Sequence, residues 1–125
     1  MALRYVFDAS HRVITITGDY AESGEWHVLL AAIAADKRLS RGCGFLRDLR
    51  ESINPVSAEA VVGIIAVVRD FWERLGARRA AIVTRPGMDL PAAVAEALAE
   101  DEHLPIRAFS AYDDALAWLT ENARS

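Results

Sequence analysis

The chain has 125 residues, 53% of them hydrophobic and 26% charged, a length that suits one domain and a composition that excludes a disordered chain. A chain of this size buries roughly two thirds of its unfolded surface on folding, so it needs no metal or disulfide staple. The 14 basic and 18 acidic residues leave a net charge of −4, which argues against nucleic acid as a partner.

Leu3 to Phe7 read as a short strand, and Asp8-Ala9-Ser10-His11 as a turn. Residues 12–17 alternate, with Val13, Thr15 and Thr17 on one side and Ile14 and Ile16 on the other, so the chain opens on a hairpin that Gly18 closes. From Ser23 to Lys37 the spacing is helical. Trp26, Leu29, Leu30 and Ile33 form one stripe, with Ser23 as a cap and Glu25 at the positive end of the helix dipole. Ser40 to Gly44 is a connector and Phe45 to Leu49 a third strand.

A polar loop with an Asn54-Pro55 turn signal leads to Ser57, which caps a long helix running to Leu75. Its stripe is Val61, Ile64, Ile65, Val68, Trp72 and Leu75, and Val62, Val67 and Phe71 widen the apolar surface beyond one contact. Gly76 ends this helix. Arg79 to Thr84, with its continuous Ala-Ala-Ile-Val, reads as a central parallel strand. Leu90, Val94, Ala97 and Leu98 mark the next helix, with Asp89 as its cap. Ile106 to Phe109 is a fifth strand, and Ser110 caps a last helix carrying Tyr112, Ala115, Leu116 and Leu119. The order β-β-α-β-α-β-α-β-α predicts a single-domain α/β fold, a mostly parallel five-stranded sheet with four helices and an antiparallel first strand.

No reaction signature accompanies this framework. The chain has neither a nucleophile elbow nor a phosphate-cradling loop, and Gly42-Cys43-Gly44 precedes a strand instead of opening a helix. Cys43 is the lone cysteine, which excludes an internal disulfide and fits a small buried apolar residue. His11, His27 and His103 have no second ligand at helical spacing, so no metal or cofactor is expected. The apolar run Val61 to Val68 is too short for the about 20 residues of a membrane span, and the N-terminal residues lack a signal peptide's basic start and apolar run, so a cytoplasmic location without stable membrane insertion is expected. Asp48 and Arg50 end a central strand, where they read either as an Arg–carboxylate pair that ties the strand end to a helix start or as part of the crevice in which open α/β sheets bind ligands. Ser57 and Arg85 lie at the same edge, so these four residues are the candidate site for an anion.

With the order of elements in place, the chain resembles the STAS domain of anti-sigma-factor antagonists. More closely, it resembles the bacterial STAS-like (SpoIIAA-like) proteins, whose fold is related to CRAL-TRIO lipid-transfer domains. The resemblance rests on Ile14-Thr15-Ile16-Thr17-Gly18, Asp36, Phe45-Leu46-Arg47-Asp48-Leu49-Arg50, Ala80-Ala81-Ile82-Val83, and Ile106-Arg107-Ala108-Phe109 followed by Asp114-Ala115-Leu116-Ala117-Trp118-Leu119. In the antagonists a serine at the start of the helix after the third strand is phosphorylated, and Ser57 stands at that place. The surrounding pattern departs from theirs. Val56 precedes Ser57 where the family has Asp, and Ala58-Glu59-Ala60 follows. Glu59 would repel an incoming phosphate, so Ser57 reads as a cap.

Two functional readings follow. The resemblance implies a non-enzymatic bacterial regulatory module that binds a protein partner. The alternative is a binder of a small anionic or lipid-like ligand at the carboxyl edge of the sheet. The wide apolar surface of the long helix and the aromatic first strand predict a homodimer through Tyr5, Phe7, Val62, Val67 or Phe71, with Trp118 a further interface residue.

Overall fold

The computed structural model describes residues 3–19, 23–39, 42–52, 57–87 and 89–121. Ser40, Arg41 and the Asn54-Pro55 turn signal lie outside these. The elements are β1 (Arg4–Asp8), β2 (Val13–Thr17), α1 (Ser23–Ala35), β3 (Gly44–Asp48), α2 (Ala58–Leu75), β4 (Ala80–Val83), α3 (Asp89–Asp101), β5 (Ile106–Phe109) and α4 (Tyr112–Thr120). The strands lie in chain order across one sheet, β1 antiparallel to β2 and every later pair parallel.

Register divides the side chains between two faces. Phe7, Ile14, Phe45, Ala80 and Ile106 lie side by side across all five strands, and Tyr5, Ile16, Arg47 and Ile82 form the row beside them. This face is covered by α1, α2 and α3. The stripe Trp26, Leu29, Leu30 and Ile33 packs on Ile14, Ile16 and Phe45, as the helical spacing predicts. The opposite face presents Val13, Leu46, Ala81 and Val83, on which Ala115 and Leu119 of α4 are seated. That last helix contacts β3, β4 and β5. Over β1 and β2 the same face is more open, with Val6 62% exposed and Thr15 and Thr17 half-buried.

The caps of α2 follow local chemistry. Ser57 holds an extended backbone, and its Oγ accepts from the Ala60 amide at 3.1 Å. Gly76 sits at φ 62°, the left-handed conformation that ends a helix at little cost only for glycine. Ser110 does not cap α4. Ala111 holds that position without a side-chain bond, and Asp113 and Asp114 supply the negative charge of the first turn. Ser23 is the first residue of α1 itself.

Packing redistributes several residues of the long helix. Phe71, expected on an interface, is a core residue 2% exposed, with the His27 ring of α1 meeting it edge-on at 5.0 Å. α2 lies between α1 and α3, so its second apolar flank is consumed inside the chain. Val67, Tyr5 and Phe7 are half-buried against the same core, and Tyr5 donates its hydroxyl proton to Asp36 at 2.8 Å, tying β1 to the end of α1. Val62 stays exposed. Trp118 is half-buried, tilted on Phe109 and flanked by the Arg79 and Arg107 guanidiniums.

In α3 the inward line is Ala92, Ala95 and Ala99, flanked by half-buried Val94 and Leu98, while Leu90 is 75% exposed. The larger apolar residues therefore sit beside the contact and the smallest ones at its centre. Leu119 is fully enclosed between α4 and the sheet, its side chain 3.3 Å from where a Cβ on Gly44 would sit. Leu119→Ala should lower unfolding free energy by about 2–5 kcal/mol in a denaturant titration. Val6→Ala, on the open part of the same face, should cost less than about 0.5 kcal/mol.

Candidate functional site

The carboxyl ends of β2, β3 and β4 are bound to one another by their own polar groups. Asp48 accepts from Arg50 Nε at 3.0 Å, from Nη2 at 2.8 Å and from the Arg50 amide at 3.0 Å, and the Arg50 guanidinium lies over the Tyr112 ring at 4.7 Å. Burial pushes the Asp48 carboxyl upward, but the bonds from Arg50 outweigh it and leave the carboxyl below its ordinary range. Buried Ser52 donates its hydroxyl proton to Asp19 at 2.8 Å, and its carbonyl accepts from Arg85 Nε at 2.8 Å and from Arg85 Nη2. Ser57 is committed to the α2 cap.

The structure therefore joins Asp48 with Arg50 and places Arg85 on the β3–α2 loop instead. Among the described residues no contact links the two arginines, and both spend their donors on neighbours. The opening hairpin holds another polar cluster. Asp8 accepts from the Ser10 hydroxyl at 2.6 Å and lies 2.7 Å from His11 Nδ1, while Ser10 Oγ lies 3.2 Å from that same nitrogen. Asp8 ends β1, Ser10 and His11 lie in the exposed turn that follows, and one imidazole nitrogen faces both partners. This closes the turn and lowers the Asp8 carboxyl to about 2, chiefly through the Ser10 and His11 side chains. A nucleophile relay needs the other geometry, one partner on each ring nitrogen.

A concavity lies beneath α2. It is a cavity of about 130 Å³ between α2, α3 and the sheet, walled by Ile16, Trp26, Phe45, Ile65, Trp72, Ala95 and further apolar side chains. Its origin is local: α3 presents Ala92 and Ala95 beside Pro91, and β4 presents Ala80 beside Ile82, so parts of two walls carry only a Cβ where a leucine would fill the space. None of Asp48, Arg50, Ser57 and Arg85 lines it.

Among the described residues lining the cavity, Arg47 alone is charged. Strand alternation sets it on the Phe45 face, away from Asp48 and Leu46. Its Nη1 donates to the Ile16 and Gly18 carbonyls at 3.3 Å and to the Asp48 carbonyl at 3.5 Å, and Nη2 donates to Gly18 at 3.3 Å. The guanidinium also lies 5.5 Å from the Trp26 ring centroid. Burial lowers its pKa to about 10, with Asp48 and Asp19 opposing the shift at longer range, so it is a cation at neutral pH. Composition and motif do not single this residue out. Its signal was the period-two alternation of Phe45-Leu46-Arg47-Asp48, which sets Arg47 on a helix-covered face.

No helix among the described residues is long and apolar enough to cross a membrane. No protein-family model, curated protein or solved structure matches the chain.

The depressed Asp48 carboxyl fixes a pH dependence. A carboxylate held below its unfolded value contributes stability above the unfolded pKa and loses it as pH falls through the native one. Asp48→Asn should cost about 1–2 kcal/mol at pH 7, and the gap to the native chain should close below about pH 4, as read by urea unfolding at a series of pH values. Ser57→Ala should cost about 0.5–2 kcal/mol while Ser57→Asp is tolerated, since Asp also caps and suits the dipole.

Proposed function

We propose that this chain works by binding and not by catalysis, and that its ligand is a small apolar molecule held between α2, α3 and the sheet. The observation that carries this reading is the cavity of about 130 Å³ with walls almost wholly of apolar side chains. Empty apolar space inside a protein forfeits dispersion contacts, and an apolar cavity of about 150 Å³ binds benzene. The α/β framework supports the reading too. Three helices stacked on one sheet face can part slightly without disturbing the β ladder. The resemblance to STAS-like and CRAL-TRIO-related folds agrees with a binding role.

Benzene is the test. It should raise the thermal unfolding midpoint of the native chain and shift the Trp26 and Trp72 indole resonances. Ala95→Leu, which puts a side chain into the cavity, should fold and abolish both effects. A midpoint and indole spectrum indifferent to benzene would end this reading.

A second reading, the STAS-like regulatory module acting through protein contacts, is favoured by the open outer face of β1 and β2, where Val6 is exposed beside Thr15 and Thr17. On that reading two copies of the chain meet across this face. Sedimentation at micromolar concentration should then give twice the 13.7 kDa chain mass, and Val6→Glu should return the single-chain mass. A single-chain mass for the native protein would remove the dimer.

A further inference from the structure

We infer that the cavity selects an acid: its ligand is a compact apolar monocarboxylate whose body, about the size of benzene, fills the space under α2 and whose carboxylate meets Arg47. The inference rests on the cavity reading above and adds the chemistry of the ligand's polar end.

Three observations carry it. Arg47 is largely removed from water, yet among the described residues no carboxylate lies within ion-pair distance of it. The nearby acids are occupied elsewhere. Asp48 points to the opposite face and is held by Arg50, and Asp19 accepts from Ser52. What Arg47 does have are backbone carbonyls at 3.3 Å and beyond, longer than the 2.7–2.9 Å or so of a charge-assisted bond. Among the described residues its direct contacts are these long bonds and the Trp26 ring, and Asp48 and Asp19 act on it only at longer range, so the buried cation keeps a positive potential that a carboxylate at the cavity wall would meet.

The second observation is position. Arg47 lines the cavity wall, and its guanidinium rests against Trp26, which lines the same cavity. A ligand seated on Trp26, Phe45 and Trp72 would have one charged group within its reach, and that group is a cation. The third is geometry. A guanidinium presents its donors in a planar fork that matches both oxygens of a carboxylate, and in a low-dielectric wall such a pair is worth more than in water. Size limits the rest of the molecule. A cavity of about 130 Å³ takes one ring or a short branched chain, and excludes a long acyl tail from full enclosure.

Three ligands that share a body and differ in the polar end make the test: phenylacetate, its neutral amide phenylacetamide, and the cation phenethylammonium. Each is titrated into the native chain at pH 7, with the Trp26 and Trp72 indole resonances and calorimetry as readouts. Phenylacetate should bind about tenfold more tightly than the amide, and the cation most weakly. In Arg47→Gln the acid and the amide should come within about threefold of each other, while Arg47→Lys keeps a preference for the acid.

Equal affinity for acid and amide in the native chain would overturn the inference while leaving the apolar cavity reading intact. So would an acid preference that survives Arg47→Gln. Should Arg47→Gln fail to fold, the native comparison decides alone, because it needs no variant. If benzene and all three ligands leave the indole resonances unmoved, the cavity reading falls and this inference with it.

Discussion

The order of the strands constrains everything else in this molecule. Four parallel-paired strands laid down in sequence and joined by three crossovers of the same hand send α1, α2 and α3 to the same side of the sheet. The other side is left to the helix that follows the last strand. One face is therefore crowded, with α2 wedged between two helices, and the other is covered by α4 over β3 to β5 and stays open over β1 and β2. Phe71 is buried because of that crowding, and Val6 is exposed because of the opposite economy.

Crowding on one face also makes the cavity. Helices seated side by side on a twisted sheet must match their inward side chains to the space they are given. Here α3 offers alanines, β4 offers Ala80 and α2 offers branched residues that reach α1 on one side and α3 on the other. The space below the middle helix is not filled. Among the described residues a single cation borders it. Burial disfavours its charge, Asp48 and Asp19 oppose that from a distance, and its direct bonds go to backbone carbonyls.

At the carboxyl edge the opposite holds. Loop carbonyls, hydroxyls and charges there meet partners of the chain itself: Asp48 with Arg50, Ser52 with Asp19 and with Arg85, Ser57 with the first turn of α2. These bonds bind three strand ends and hold Gly18, whose carbonyl is the main acceptor for Arg47. The edge thus positions the cavity's charged residue.

Much of the framework was legible in the residues. The Trp26-to-Ile33 stripe, the Ser57 cap, the Gly76 terminus and the boundaries of β5 follow from side-chain periodicity and local backbone preference, interactions that span only a few residues. The two-faced alternation of β2 told which strand would be half covered. Other features depended on distance between elements. Periodicity marked Leu90, Val94 and Leu98 as apolar, yet the approach of α3 to the sheet put Ala92, Ala95 and Ala99 at the contact. Asp48 and Arg50 stood out as charges at a strand end able to pair with each other, but that Arg85 would be taken by the Ser52 carbonyl depended on the loop path. Arg47 carried the strongest chemistry and the faintest sequence signal, because a charge inside an apolar strand gains its meaning from what surrounds it. The sequence by itself determined which residues form helices and strands and which of their faces are apolar, since those preferences act within a turn or a strand pair. Only the tertiary structure decided where close packing fails and which charge faces the resulting gap, since both depend on the meeting of side chains far apart in the chain.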